Sequence, residues 1–115
     1  MLNDSSTIAA ISTAKGVGGI GVVRISGNDS LKIANKICNV DITPRKAHFS
    51  TFKDKKNITL DQGVVIYFPS PASFTGEDIV ELQGHGGVVV LNLILKSCLS
   101  YGARLAAPGE FTKRA

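Results

Sequence analysis

The sequence lacks the features that mark several classes of binding site. Aromatic residues make up 6% of its 115 residues and form no ladder on which nucleic-acid bases could stack. The longest apolar run, residues 88–95, contains Asn92 and is far shorter than the roughly 18–20 residues that a membrane span needs. We therefore expect neither a base-stacking platform nor a membrane-spanning helix.

Cysteine is also scarce, and the two cysteines, Cys38 and Cys98, lie far apart in the chain. Their spacing fits no metal-ligand motif, and each lies in an apolar pattern typical of a helix. We expect two reduced core thiols, no metal site and a cytoplasmic protein. The N-terminus, residues 1–4, has no basic region, so no signal peptide is expected.

Charge of one sign is not concentrated either. Thirteen Lys and Arg residues against nine Asp and Glu residues give a net charge of +4, and basic residues such as Arg45 and Lys46 are scattered. Most of them are interpreted as solvated surface and a minority as a nucleic-acid footprint. The sequence shows no nucleophile elbow, zinc cluster or closely spaced carboxylate pair. No catalytic residue is predicted, and the pattern favours a binding domain over an enzyme.

Length and patterning predict one α+β domain with a single core. Runs of β-branched residues predict strands, and apolar residues at helical spacing predict helices. The predicted order is β-β-α-β-β-β-α-β, in a mixed, largely antiparallel sheet with two main helices. Strands are predicted at 7–11, 20–25, 48–53, 64–68 (reached through 58–60), 78–83 and 104–107, and helices at about 31–38 and 87–101. A helix start at 110–115 indicates that the chain is a piece of a longer protein.

Two of these elements carry a prediction about burial. Residues 64–68 are continuously apolar, as in a strand covered on both faces. In the second helix Asn92, Lys96 and Ser100 form a narrow polar stripe. Most of the circumference of that helix should therefore be buried.

Glycines cluster at residues 16–21, where GVGGIG matches the dinucleotide-binding pattern GxGxxG. That pattern requires a helix after its third glycine, whereas residues 22–25 favour a strand. The preferred interpretation is a turn that needs positive φ and close backbone approach. A turn that packs against a flat ligand is the alternative, and a phosphate-binding role is the least favoured.

The most informative stretch is 74–87, in which a charged loop leads into a short apolar strand and a Gly-His-Gly-Gly turn. The strand carries one carboxylate, Glu81. An unpaired carboxylate in a buried strand is costly to desolvate. Glu81 should therefore accept hydrogen bonds from a partner or a ligand.

Two further polar residues, Arg24 and His85, are candidate site residues. Arg24 lies on the strand face shared by Val22 and Ser26, where it either faces solvent or pairs with a carboxylate or a ligand oxygen. The sequence leaves both interpretations open. His85 is interpreted as a turn residue that binds backbone more readily than as a general base or metal ligand.

Four separated motifs resemble the N-terminal domain of the MnmE (TrmE) family of tRNA modification GTPases. They are GGIGVVRISG at 18–27, SFTGED at 73–78, ELQGHGG at 81–87 and APGEFTKRA at 107–115. They run in the order of the family across essentially the whole chain. The chain departs from the usual TPPGRGG of the family with TAKGVGG at 13–19, so only the glycines of that turn are carried over.

The resemblance implies a domain over residues 1–115 that is similar to the folate-binding domains of aminomethyltransferase-type enzymes. This domain would dimerise and bind a tetrahydrofolate derivative, 5-formyl- or 5,10-methylene-tetrahydrofolate. Its implied folate contacts are Arg24 and Glu81. The implied role suits Glu81, because a carboxylate can accept two hydrogen bonds from the aminopyrimidine edge of a pterin.

For the whole protein, the resemblance implies a GTP hydrolase that modifies C5 of the wobble uridine (U34) of tRNA with the FAD-containing partner MnmG. GTP, Mg and K would belong to a GTPase domain outside this chain, and no membrane is implied. The alternative is a structural domain that dimerises and faces tRNA without binding folate.

Overall fold

The structure, a computed structural model, describes residues 5–13, 21–85 and 87–115. Its strands are β1 (Ile8–Thr13), β2 (Gly21–Ser26), β3 (His48–Lys53), β4 (Thr59–Phe68), β5 (Ile79–Gly84) and β6 (Arg104–Leu105). Its helices are α1 (Ser30–Ile37), α2 (Gly87–Ser100) and α3 (Glu110–Arg114). The predicted order of strands and helices is confirmed, and the helix start predicted at 110 is the short α3.

The strands form one sheet in the order β3-β4-β5-β2-β1-β6. Neighbouring strands are antiparallel except β1 and β6, which run parallel. The mixed, largely antiparallel α+β sheet is therefore confirmed. Its similarity to the folate-binding domains of aminomethyltransferase-type enzymes stays a prediction.

One face of the sheet, here called the helix face, packs against α1 and α2. Along the central strands β2 and β5, alternate side chains point to this face and are completely buried. They are Val23, Ile25, Val80 and Leu82. The helices contribute buried apolar residues from one side each, among them Ile33, Ile37, Leu91 and Ile94. The core of the domain therefore lies between the helix face and the two helices.

The two cysteines belong to this core. Cys38 and Cys98 are both buried and free. Burial raises the pKa of the Cys38 thiol to about 11 and that of the Cys98 thiol to about 12. Both are therefore protonated at neutral pH, and the prediction of reduced core thiols is confirmed.

The prediction that residues 64–68 are covered on both faces is wrong. Only Val65 in this run is fully buried, while Val64, Ile66, Tyr67 and Phe68 are partly exposed. The reason is that the helices cover one face of the sheet only. β4 also begins earlier than the run that predicted it, at Thr59.

The prediction that only a narrow polar stripe of α2 is exposed is also wrong. Asn92, Lys96 and Ser100 are exposed as expected. Val88, Val89 and Leu93 are exposed beside them, by 72%, 74% and 43%. The helix therefore buries only one side and presents a partly apolar surface on the other.

The glycine pattern at 16–21 lies outside the described residues except for Gly21. Gly21 opens β2, so the strand expected after the pattern is confirmed. A Cβ at Gly21 would lie 2.1 Å from Cδ1 of Leu91, which shows how closely α2 approaches the strand. None of the helices in the described ranges is long and apolar enough to cross a membrane.

Candidate functional site

The sheet brings Arg24 and Glu81 directly opposite each other. Arg24 on β2 pairs in register with Glu81 on β5, with Ala10 of β1 and Ile66 of β4 in the same row. Because side chains alternate along a strand, this row points away from the helix face. We call this second side of the sheet the open face.

Arg24 and Glu81 form an ion pair on the open face. Nη2 of Arg24 lies 3.0 Å from Oε2 of Glu81 and Nε donates to the same oxygen at 3.2 Å. The two side chains are 25% and 19% exposed. Of the two interpretations left open for Arg24, pairing with a carboxylate is the one that the structure bears out, and the partner expected for Glu81 is Arg24.

The pair leaves one carboxylate oxygen available. Both contacts end on Oε2 of Glu81, so that Oε1 accepts no hydrogen bond from the residues that the structure describes. A carboxylate oxygen has room for further donors. The Glu81 side chain can therefore keep its partner and still accept a hydrogen bond from a bound molecule.

The loop between β4 and β5, residues 69–78, folds over the ion pair. Its Phe74 places the ring centroid 5.5 Å from Cζ of Arg24, within the range of a cation–π contact. Phe74 is nevertheless 53% exposed. An exposed aromatic ring held beside a charged pair can stack on a flat ligand.

Phe74 also separates two cavities on the open face. The first, here called the aromatic cavity, has a volume of about 450 Å³ and is lined by Phe68, Phe74, Ile79, Glu81 and Arg45, with Ala72 and Ser73. The second, the α3 cavity, has a volume of about 550 Å³ and reaches from Arg24 and Phe74 to Phe111. Glu81 therefore lines the aromatic cavity, and Arg24 lines the α3 cavity. Both volumes fall in the range of small-molecule sites, roughly 300–1,000 Å³.

Hydrogen bonds from β2 hold the loop in place. Oγ of Ser26 lies 2.8 Å from Oγ1 of Thr75 and donates to Oε1 of Glu77 at 2.8 Å. Glu77 in turn accepts from Nη1 of Arg114 on α3, at 3.1 Å. Thr75 and Glu77 therefore connect the loop to β2 and α3.

Glu110 fixes α3 beside the α3 cavity. Its Oε2 lies 2.6 Å from Nη2 of Arg104 and 3.1 Å from Nη2 of Arg114, and its Oε1 accepts from the backbone N–H of Ala107 at 2.8 Å. These contacts lower the pKa of Glu110 to about 2, mainly through the hydrogen bond from Arg104 and then that from Ala107. The carboxylate is therefore ionised throughout the neutral range.

His85 lies at the turn after β5 and not in either cavity. Its backbone N–H donates to Oδ2 of Asp61 at 2.8 Å, and its Nδ1 lies 3.4 Å from the carbonyl oxygen of Gln62. The turn interpretation is confirmed. Within the described ranges, no group of three or more His, Cys, Asp or Glu residues could hold a metal ion.

Two residues of the aromatic cavity were missed from the sequence. In the sequence Phe74 stands out only as part of the SFTGED motif, and Arg45 only as one of the scattered basic residues. The signal for Phe74 was a lone aromatic residue in a polar loop that precedes the Glu81 strand. Arg45 gave no signal, because its place at the cavity depends on β4 and the loop, which are distant in sequence.

Comparison with known proteins points to one family. The family model described as "GTP-binding protein TrmE N-terminus" matches residues 7–115. The chain is 57% identical over 109 residues to the tRNA modification GTPase MnmE of Ectopseudomonas mendocina (95% of this chain, 24% of that protein). It is 56% identical over 108 residues to that of Azoarcus sp. (94% and 24%) and 52% identical over 115 residues to that of Neisseria meningitidis serogroup A (100% and 26%). The chain thus spans about a quarter of the length of these curated relatives.

Proposed function

Because the chain belongs to the family of TrmE N-terminal domains, we propose that it binds a tetrahydrofolate one-carbon donor on the open face. The donor would be 5-formyl- or 5,10-methylene-tetrahydrofolate, and its contacts Arg24 and Glu81. The observation that carries this proposal is the Glu81 carboxylate, which lines the aromatic cavity and whose Oε1 accepts no hydrogen bond within the described part of the chain.

The chemistry of the aromatic cavity suits a reduced pterin. The aminopyrimidine edge of the ring presents adjacent N–H donors, which a carboxylate accepts well. Phe68 and Phe74 supply aromatic walls for the ring, and Ile79 adds an apolar contact. Arg24 faces the neighbouring α3 cavity, from where its guanidinium can donate to a carbonyl or formyl oxygen.

Calorimetric titration with 5-formyltetrahydrofolate tests this proposal. Truncation of Glu81 to Ala should cost about 2–4 kcal/mol of binding free energy, because it removes a partly buried, charge-assisted acceptor. Gln83→Ala is the matched control, since Gln83 lies two positions along on the same face of β5 but lines neither cavity. Equal affinity of a folded Glu81→Ala variant and the wild type would remove the site assignment.

For the longer protein, we propose the role that the resemblance to the family implies, of which the names of its relatives state only tRNA modification and GTPase. That protein would be a cytoplasmic GTP hydrolase that modifies C5 of U34 in tRNA with the FAD-containing partner MnmG. Residues 1–115 would be its folate-binding and dimerisation domain. GTP, Mg and K would bind in a separate domain of that protein.

A second candidate function is self-association, with or without folate binding. It is supported by the exposed apolar side chains of α2, Val88, Val89 and Leu93, because apolar residues grouped on a surface mark interaction sites. Sedimentation analysis should show a dimer that Val89→Glu converts to a monomer, whereas Lys32→Glu at an exposed position of α1 should leave it dimeric. A dimer that binds no folate would favour the structural alternative, and a monomer at all concentrations would exclude self-association of this chain.

A further inference from the structure

Arg45 lines the aromatic cavity and has a backbone conformation that is rare for a residue other than glycine. Its φ is +65°, in the left-handed region that residues other than glycine rarely adopt. Its backbone N–H donates to the carbonyl oxygen of Tyr67 at 2.8 Å, which holds this conformation against the end of β4. A strained backbone of this kind persists only where its surroundings over-determine it, and such positions cluster at binding sites.

The guanidinium of Arg45 is also placed by the loop. Its Nη2 donates to the carbonyl oxygen of Ala72 at 2.7 Å, so that the side chain follows the cavity wall. Among the described residues, Arg45 has no carboxylate partner. The remaining N–H donors of its guanidinium are therefore available to an anion.

The aromatic cavity thus has two charged groups of opposite sign in its lining. Glu81 contributes a carboxylate, Arg45 contributes a guanidinium, and Phe68 and Phe74 lie in the lining with them. A molecule that fits this lining carries both N–H donors on a flat ring and an anionic group. Reduced folates carry both groups, because their pterin ring is joined through an aminobenzoyl group to glutamate.

We propose that Arg45 forms an anion subsite that binds the glutamyl carboxylate of the folate whose pterin ring Glu81 binds. This inference rests on the folate-binding function proposed above and adds the residue that recognises the tail. Arg guanidinium suits the role, because its planar fork of donors matches a carboxylate.

Calorimetry with two ligands separates the tail contact from the ring contact. The probes are 5-formyltetrahydrofolate and the amide of 5-formyltetrahydropteroate, in which an uncharged amide replaces the glutamate. Arg45→Gln should weaken binding of the folate about tenfold, as for loss of one charged hydrogen bond at an exposed site, and leave binding of the uncharged amide unchanged. Lys46→Gln is the control, because Lys46 is the neighbouring exposed cation and does not line the cavity.

Salt provides an independent readout of the same contact. Affinity of the wild type for the folate should fall as ionic strength rises, and this fall should be smaller in Arg45→Gln, because the screened ion pair is already lost. Arg45→Lys should recover part of the affinity, since it restores the positive charge without the fork.

The outcomes distinguish this inference from the function on which it rests. If Arg45→Gln binds the folate as the wild type does, or weakens both ligands equally, the anion subsite is wrong while folate binding stands. Equal affinity of the wild type for the two ligands has the same meaning. If the wild type binds neither ligand, folate binding itself is contradicted and the subsite with it.

Discussion

The two faces of the sheet carry alternate residues of the same strands and differ in nearly every physical property. On β5, Val80 and Leu82 point to the helix face and are completely buried, whereas Glu81 between them points to the open face and is 19% exposed. On β2, Val23 and Ile25 are likewise buried on the helix face, whereas Arg24 between them in sequence points to the open face. The helix face consists of apolar packing, and the open face holds an ion pair and two cavities.

This difference indicates a division of labour between folding and binding. Burial of the apolar side chains of the helix face supplies the main driving force for folding, since each large side chain contributes on the order of 1.5–3 kcal/mol. The partly exposed ion pair of the open face contributes little to stability, about 0–1 kcal/mol. Stability therefore does not account for these polar groups, which is consistent with the ligand binding proposed above.

The largest expected effect is the loss of stability caused by a substitution on the helix face next to the site. Leu82→Ala should reduce the free energy of unfolding by about 2–5 kcal/mol, because it leaves a cavity in a fully buried position. Glu81→Gln, one residue away, should change it by less than about 1 kcal/mol. Denaturant unfolding of the two variants measures the contrast, and comparable destabilisation by both would contradict the division of labour.

A smaller effect should appear in binding when the aromatic ring over the ion pair is removed. Phe74→Leu should weaken binding of 5-formyltetrahydrofolate about tenfold, because loss of stacking on a flat ring costs roughly 1–3 kcal/mol. Phe49→Leu provides the control, since Phe49 is 66% exposed on β3 and lines neither cavity. If the two variants lose the same affinity, the aromatic cavity is not the ligand site.

The smallest effect concerns the acid limb of stability. Glu110 has its pKa lowered to about 2 in the folded protein, below its ordinary value of 4.5, mainly by the hydrogen bond from Arg104. Its stabilising contribution is therefore complete above pH 4.5 and is lost as pH falls from there to about 2. Glu110→Gln should lower stability at pH 7 by on the order of 1 kcal/mol.

The same variant should flatten the decline in stability between pH 4.5 and about 2. Thermal unfolding across this pH range measures both effects. An unchanged acid limb in Glu110→Gln would show that other carboxylates set the acid sensitivity of the domain.

The sequence predicted the elements of this fold better than their burial. Alternation and β-branched runs located β2, β3 and β5 because these are local signals. The strand order, and with it the opposition of Arg24 and Glu81, depends on pairings between distant segments that no local pattern encodes. For the same reason the apolar run of β4 suggested burial on both faces, although the helices cover only one.

The candidate site was predictable only in part. Glu81 could be found because a carboxylate in an apolar strand needs a partner, and Arg24 because alternation put it opposite its buried neighbours. The resemblance to the family then named both as folate contacts. Phe74 and Arg45 reach the aromatic cavity through loop conformation, including the positive φ of Arg45, and these features follow from tertiary contacts.

The most direct test of the account is a map of backbone amide chemical shifts during titration with 5-formyltetrahydrofolate. We predict that the largest changes fall on the open face, at Arg24, Phe74 and Glu81, and that residues around Phe49 on β3 do not change. Changes centred on α1 or α2, or no change at millimolar ligand, would contradict the claim that the open face is the binding face of this domain.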